Sequence, residues 1–324
     1  MDKKYKYSLG VDIGGTKCAV ILGREEFVST DGFILDRTAF PTEKERGWKC
    51  VVNDIINSIK EIADKNGVDT ENDVVGMGIS CGGPLDSKRG LIQCPPNLPD
   101  WDNVPIVDIL ENEFKVKVYL QNDANACSVA EWKFGAGRGC RNMIFLTFGT
   151  GLGAGLILDG RLYSGTNGMA GEAGHIRLTD SGPLGYSKYG SFEGWCSGGG
   201  IKNLAEIMRE NTDFEDSEIL KDNIELTAAN LAKYAKNGDK FSLSVYDKCG
   251  EMLGRGLSIL IDILAPEKIV IGSIFARSGE LLKEKMYESI KKESLSVISN
   301  ACEIVPAELG DRIGDFAALS LAFP

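Results

Sequence analysis

The 324-residue chain has a single histidine, no two cysteines spaced as CxC or CxxC, and no apolar run approaching the roughly 18 residues of a membrane span. The nine cysteines are odd in number and lie singly from Cys18 to Cys302. That pattern excludes a zinc knuckle and a disulfide framework and fits reduced thiols in a cytoplasm. Basic residues are also short: 36 Lys and Arg stand against 47 Asp and Glu, for a net charge of −11. Nucleic acids and anionic membranes need a basic footprint, so neither is an expected partner. A free polyphosphate would be repelled, and a nucleotide would have to arrive with Mg²⁺ and meet local backbone N–H groups. The segment Met1–Tyr7 has no apolar signal core, and a cytoplasmic location is expected.

What the chain has is glycine, in two turns that look like copies of one device. The first reads Val11-Asp12-Ile13-Gly14-Gly15-Thr16-Lys17-Cys18-Ala19-Val20, and the second Phe145-Leu146-Thr147-Phe148-Gly149-Thr150-Gly151-Leu152-Gly153-Ala154-Gly155. In each, an apolar β-like run enters a Gly/Thr turn and another leaves it. Neither is a P-loop, since Thr16 precedes Lys17 and a strand, not a helix, follows. Neither is a dinucleotide fingerprint, for the same reason and on spacing. Such a hairpin can still bind phosphate, because glycines let N–H groups approach an anion and threonine hydroxyls add donors. Two of them about 135 residues apart point to two similar half-domains and a nucleotide. Asp12, at the end of a buried strand, is costly without a partner; a Mg²⁺ held through water beside the phosphates would supply one.

The rest of the chain reads as α/β, with strands preceding helices in both halves. Strands are expected at Tyr7–Ile13, Lys17–Leu22, a weaker run Phe27–Leu35, Val74–Ser80, Val116–Leu120, Met143–Phe148, Gly153–Leu158, Lys268–Ile271 and Glu303–Val305. Thr42, with Glu43 and Glu45 behind it, opens a helix whose stripe runs Val51, Val52, Ile55, Ile56, Ile59, Ile62 and closes at Asn66-Gly67. Further helices are read at Asp123–Phe134, Gly200–Glu210, Thr227–Lys236, Lys240–Leu264, Ser278–Lys292 and Gly314–Ala322. Gly250, Gly254 and Gly256, inside the long helix, are read as close packing sites. The Pro- and Gly-rich residues 81–104 are loop, as are the glycine-dense residues 160–200. The boundary is placed near residue 121, giving a smaller domain of 1–121 plus 306–324 and a larger one of 122–305.

Seven short motifs occur in one order: Asp12-Ile-Gly-Gly-Thr, Gly83-Pro84-Leu85-Asp86, Pro96-Asn97-Leu98-Pro99-x-Trp101, Asn122-Asp123-Ala124-Asn125, Gly149-Thr150-Gly151-Leu152-Gly153, Gly171-Glu172-x-Gly174-His175 and Ile269-Val270-Ile271-Gly272. Together they resemble the sugar-kinase, actin and heat-shock-chaperone ATPase superfamily, and within it the ROK family of repressors, open reading frames and kinases. The resemblance implies a two-domain, actin-like (ribonuclease H-like) fold with a duplicated sheet-and-helix half on each side of a cleft. It implies transfer of the γ-phosphoryl of ATP to a hexose hydroxyl, with glucose the first expectation. Fructose, mannose, allose, N-acetylmannosamine and N-acetylglucosamine are the alternatives. On it the catalytic base falls on Asp123, and the sugar contacts on Gly83, Asn97, Asn122, Asp123, Glu172, His175 and Glu193. The nucleotide and its Mg²⁺ fall on Asp12, Gly14, Gly15, Thr16, Lys17, Thr150, Gly151, Gly153 and Gly272. A homodimer is a family-level expectation.

The residues support several of these roles independently. A hydroxyl acceptor needs a proton acceptor, and Asp123 at a strand end before a helix can be one; a helix N-cap is its structural alternative. His175, three residues after Glu172 in a Gly-rich setting, could bracket vicinal hydroxyls with that carboxylate. The chain departs from the family after the histidine. Where most members carry three zinc-binding cysteines, it has Leu184, Tyr186 and Ser191, so no zinc site is expected; Pro183, Leu184, Tyr186, Tyr189 and Phe192 should pack the loop instead. Three rival readings compete. Gly78-Ile79-Ser80-Cys81-Gly82 fits a GxSxG hydrolase motif with Asp123 and His175 in order, but Gly82-Gly83-Pro84 is a poor helix start and both glycine turns go unexplained. A repressor would carry a DNA-binding domain ahead of Asp12, where eleven residues stand. A sugar-binding protein without catalysis is disfavoured by the retained Asp123.

Overall fold

In a computed structural model of the chain, residues 6–24, 30–211, 214 and 216–323 are described. They build two five-stranded sheets. The first comprises β1 (Tyr7–Ile13), β2 (Lys17–Arg24), β3 (Ile34–Pro41), β4 (Val74–Cys81) and β5 (Val118–Asn122), in the order β3-β2-β1-β4-β5. The second comprises β6 (Met143–Leu146), β7 (Ala154–Leu158), β8 (Arg161–Leu162), β9 (Lys268–Ile271) and β10 (Glu303–Pro306), in the order β8-β7-β6-β9-β10. The order is the same in both, which is the duplication that the two glycine turns announce. In each, the first two strands form an antiparallel hairpin and the later strands pair in parallel, β1 with β4 and β4 with β5, and β6 with β9 and β9 with β10.

The chain divides into two compact units. One gathers the residues up to Arg138, Leu162–Ala170 and the chain from Asp311 on; the other gathers Gly139–Arg161 and Gly171–Gly310. This corrects the boundary placed near residue 121. The helix Asp123–Phe134 stays with the first unit because its Phe134 ring meets Phe33 at 4.8 Å and Phe316 at 5.9 Å, while Lys133 donates to the carbonyls of Ser320 and Phe323. The final helix, Ile313–Ser320, belongs to that unit and lies on β1 and β4. Glycine makes this approach possible. A Cβ on Gly10 would stand 3.0 Å from the Ala318 Cβ, and one on Gly78 only 2.0 Å from the Ala318 carbonyl oxygen. The core of the first unit is apolar and closed: Leu9, Val11, Val20, Ile55, Ile59, Ile79, Trp101 and Leu110 are fully buried. In the second unit Gly250 and Gly254 face the carbonyls of Leu282 and Met286 at 2.6 and 2.4 Å from a notional Cβ, and Gly256 faces the Phe192 ring. These are the packing sites that their place in the helix Lys240–Leu264 predicts.

Several local readings change. The run at Phe27–Leu35 lies partly outside the described residues; beyond them the chain is a helical turn, Thr30–Phe33, followed by β3. Thr42 does not open a helix. A 3₁₀ turn spans Lys44–Arg46 and the helix begins at Trp48 after Gly47, because the Thr42 hydroxyl is taken elsewhere, as described below. The loop 81–104 contains a two-residue pair, Leu85–Asp86 with Leu91–Ile92, and is followed by a helix, Ile106–Phe114, that the pattern did not announce. The single helix expected at Ser278–Lys292 is a helix Ile274–Ser278, a 3₁₀ turn Gly279–Leu281 and a helix Lys283–Glu293. Among the described residues no helix is long and apolar enough to cross a membrane.

Because the contact at Gly78 is backbone against backbone, neither side can rotate away. Gly78→Ala should lose at least about 1–3 kcal/mol in chemical denaturation, the ordinary cost of overpacking. A wild-type denaturation midpoint in this variant would show that the final helix does not sit where the structure places it.

Candidate functional site

In the first unit the candidate residues collect at the C-terminal ends of the parallel strands, where α/β sheets bind ligands. Across β1, β4 and β5 the register sets Asp12 beside Ser80 and Ser80 beside Gln121. Asp12 and Asn122-Asp123 are therefore strand-end neighbours. The first glycine turn is closed by the Gly14 N–H donating to the Lys17 carbonyl at 3.0 Å. It is braced by Thr42, whose hydroxyl donates to the Gly14 carbonyl at 2.6 Å and whose N–H donates to the Thr16 carbonyl at 2.9 Å. Thr16 and Lys17 are exposed at the tip. Gly15 must be glycine: a Cβ there would lie 2.6 Å from the Asn97 carbonyl oxygen and 2.7 Å from the Asn97 Cβ. Asn97 itself is exposed on a loop anchored by the fully buried Leu98 and Trp101. Its side-chain amide passes over Gly82, and Gly83 beside it is open, with nothing within 4 Å of a notional Cβ.

Asn122 and Asp123 divide two tasks that the sequence left on one residue. The Asn122 side chain is the N-cap of the helix, accepting from the Asn125 N–H at 2.8 Å. Asp123 accepts from the adjacent Ala124 N–H, also at 2.8 Å, and its side chain is exposed. The protein around it nonetheless desolvates the carboxyl and raises it above its ordinary range, against the pull of that N–H. Asp12 is raised as well, to about 6. Burial is the main cause, the carboxylates of Asp315 and Asp123 add to it, and Lys17 and Arg37 oppose it. Asp315, in the first turn of the final helix, is itself held by Arg37 at 2.9 Å.

In the second unit the other glycine turn is closed by Gly149 N–H to the Gly151 carbonyl and by the Gly153 N–H to the Thr147 hydroxyl, both at 2.9 Å. Thr150 is exposed at its tip. Glu193 accepts from the Leu152 N–H at 3.0 Å, and a Cβ on Gly151 would collide with the same carboxylate at 2.7 Å. The Gly171–His175 turn lies directly against this device. The Ala154 N–H donates to the Gly171 carbonyl, and a Cβ on Gly174 would stand 2.2 Å from the Leu152 carbonyl oxygen. Glu172 and His175 are exposed on it. Thus Thr150, Gly151, Gly153, Glu172, His175 and Glu193 form one group. Gly272 joins it from the end of β9: the Ile274 N–H donates to the Phe148 carbonyl, and Ser273 approaches Gly149.

The residues after His175 are not the packed loop expected. Pro183 and Phe192 are buried, but Leu184, Tyr186 and Tyr189 are 43%, 57% and 63% exposed. Leu184–Gly185 and Lys188–Tyr189 pair as a small hairpin whose two turn residues, Tyr186 and Ser187, both have positive φ, 52° and 58°. That is the geometry Asn-Gly favours, and a side chain in it costs about 1–2 kcal/mol per residue. Ser191 caps the next short helix by accepting from the Gly194 N–H and also donates to the Gly185 carbonyl. A tetrahedral zinc does not fit this donor set, which offers one imidazole and no thiolate; Cys196 is fully buried and directed at the Cys249 carbonyl. Among the described residues no group of three or more His, Cys, Asp and Glu could hold a metal ion directly. A Mg²⁺ that keeps its waters is a different matter. Asp12, half-buried with like charges close by, is a carboxylate such an ion would relieve.

The serine-hydrolase arrangement is not formed. Ser80 is 2% exposed within β4, paired through the backbone on both sides, and a loop rather than a helix follows. Arg37, Thr42 and Asp315 were not singled out as site residues in the sequence. Thr42 looked like a helix cap, and Arg37 and Asp315, some 280 positions apart, meet only through the fold.

The duplicated sheets, each ending in a glycine hairpin, define the two-domain actin-like ATPase fold. The chain belongs to the ROK family, whose model matches residues 8–323. It is 33% identical over 318 residues to a glucokinase of Thermotoga maritima, covering 97% of this chain and 96% of that one. A glucokinase of Halalkalibacterium halodurans is 32% identical over 315 residues, covering 95% and 92%. Among solved structures, a ROK family glucokinase from Streptomyces griseus in complex with glucose and AMPPNP is 28% identical, with a TM-score of 0.74 over 97% of this chain and 98% of that one.

The shift of Asp12 has a measurable sign. Between the ordinary carboxyl range and about 6, the folded chain holds a proton that the unfolded chain has lost, so its stability falls as pH rises through that window. Asp12→Asn removes the charge from both states. The variant should gain about 3 kcal/mol over the metal-free wild type at pH 8, about half that at pH 5, and little at pH 3. Equal effects at pH 8 and pH 3 in thermal or denaturant unfolding would refute the buried-carboxylate assignment.

Proposed function

We propose that this chain is an ATP- and Mg²⁺-dependent hexose kinase of glucokinase type, converting glucose to glucose 6-phosphate. The observation that carries the reading is the separation of Asn122 from Asp123. The cap is made by Asn122, so the neighbouring carboxylate is spared for chemistry, held at a strand end with its proton affinity raised. In this role Asp123 accepts the proton of the acceptor hydroxyl as its oxygen bonds to the γ-phosphorus, and the bond from that phosphorus to the bridging oxygen of ADP breaks. The backbone N–H groups and hydroxyls of the two glycine turns are the donors for phosphate oxygens. Asp12 would hold Mg²⁺ through water, and the ion would supply neutralisation of phosphate charge. Asn97, Glu172, His175 and Glu193 are the groups suited to sugar hydroxyls, with one Glu193 oxygen already committed to Leu152. Glucose is the first candidate because the glucokinases above are similar to this chain across nearly its whole length.

Adjacent substitutions separate structure from chemistry. Asp123→Ala should lose about 10²–10⁴-fold in kcat with near wild-type stability, whereas Asn122→Ala should lose about 1 kcal/mol of stability with the helix cap. Retained turnover in a folded Asp123→Ala protein would remove the base. A coupled ADP-release screen over glucose, mannose, fructose, allose, N-acetylmannosamine and N-acetylglucosamine tests the whole reading. Stimulation that is greatest with glucose is the expected result, and none with any sugar would defeat the kinase assignment.

A further inference from the structure

The hairpin Leu184–Tyr189 is pinned to the turn that bears His175. Lys188 Nζ donates to the His175 carbonyl at 2.8 Å, Arg177 Nη1 to the Tyr189 carbonyl at 2.8 Å, and the Leu178 N–H to the Gly190 carbonyl at 2.8 Å. From the other side Asn203 Nδ2 donates to the Leu184 carbonyl, and Gly185 lies so close to Gly194 that a Cβ would stand 2.3 Å from its nitrogen. These bonds hold the tip residues Tyr186 and Ser187 in a left-handed conformation that neither residue type prefers. Core burial does not repay the strain, since Tyr186 is 57% exposed. Instead its ring meets the imidazole of His175, with centroids 5.1 Å apart and planes tilted by 53°. The phenol also feels two carboxylates: Glu172 first, then desolvation, then Glu193 raise its proton affinity. Strain kept at an exposed tyrosine set against the lone histidine is strain kept for a site.

We propose that Tyr186 is the positioning residue for His175, an aromatic clamp that orients the imidazole for sugar recognition at a place where a bound metal would otherwise be expected to do so. This rests on the reading of Glu172 and His175 as sugar-contacting groups. It makes sugar affinity depend on a hairpin tip and independent of zinc.

The single histidine makes the test direct, provided the protein carries no histidine tag, since one imidazole appears in a ¹H–¹³C spectrum. Asn tolerates the left-handed conformation, so Tyr186→Asn should keep or raise the melting temperature while removing the ring. Its His175 resonances should move, and KM for the sugar should rise about two- to tenfold, with KM for ATP and kcat within twofold of wild type. Tyr186→Phe keeps the ring and should keep the wild-type imidazole position and sugar KM within about twofold. Neither zinc sulfate nor a chelator should move the His175 resonances of the wild type. An unmoved imidazole in Tyr186→Asn, an unchanged sugar KM there, or a stoichiometric shift on adding zinc would each overturn the inference. If no sugar stimulates ADP release by the wild type, the kinase reading fails by itself, and the spectra of the two variants still decide whether Tyr186 holds His175.

Discussion

Desolvation of Asp12 beside two further carboxylates at the end of the first sheet is the constraint around which that unit is organised. Asp12 sits half-buried at the end of β1, with Asp123 and Asp315 near enough to raise its proton affinity. A half-buried carboxylate with like charges close by is unfavourable unless something offsets them. Part of the offset is visible in the fold: Arg37 grips Asp315, and Lys17 and Arg37 pull on Asp12. The remainder is charge that a hydrated cation would relieve. At Asp123 it is desolvation by the surrounding protein, against the pull of backbone N–H groups, that raises the proton affinity. The cluster exists because the final helix, which carries Asp315, returns to lie on β1 and β4.

The duplicated hairpins show how one device is adapted to two settings. Each is closed by a bond across its glycines and braced by a threonine hydroxyl. In the first the brace comes from Thr42, which donates to the Gly14 carbonyl across 28 positions. In the second it is local, with Thr147 accepting from Gly153. Their neighbours differ as well. The first turn presses against the Asn97 backbone and the second against Glu193 and the Gly171–His175 turn. In both, the absence of a Cβ lets the turn pack directly against a neighbouring residue, Asn97 at Gly15 and Glu193 at Gly151.

Much of this was legible in the chain. The two Gly/Thr turns with apolar flanks, the 3.6-residue stripe ending at Asn66-Gly67, the helix beginning at Asp123 and the packing glycines of the long helix are local or periodic signals, and local signals survive folding. The failures were of one kind. Thr42 carried the pattern of a helix cap, but a carbonyl 28 positions earlier claimed its hydroxyl. The boundary near residue 121 followed the start of the second β-rich run, whereas Phe33, Phe134 and Phe316 bind three distant segments into one unit. Tyr186 looked like loop packing because apolar residues usually bury themselves, and it stands instead on an imidazole.

The sequence by itself determined the class of chemistry: glycines and threonines where phosphate must meet backbone, carboxylates at strand ends, and no thiols beside the one histidine. These depend on residue identity and short spacing, which the chain displays directly. Only the tertiary structure decided which carboxylate is burdened and which is spared, because burial and the approach of like charges are properties of segments far apart in the chain. It alone assigned the cap to Asn122 and the imidazole to Tyr186, since a hydrogen bond or a ring contact is made by position in space, and position is what the packed sheets and helices supply.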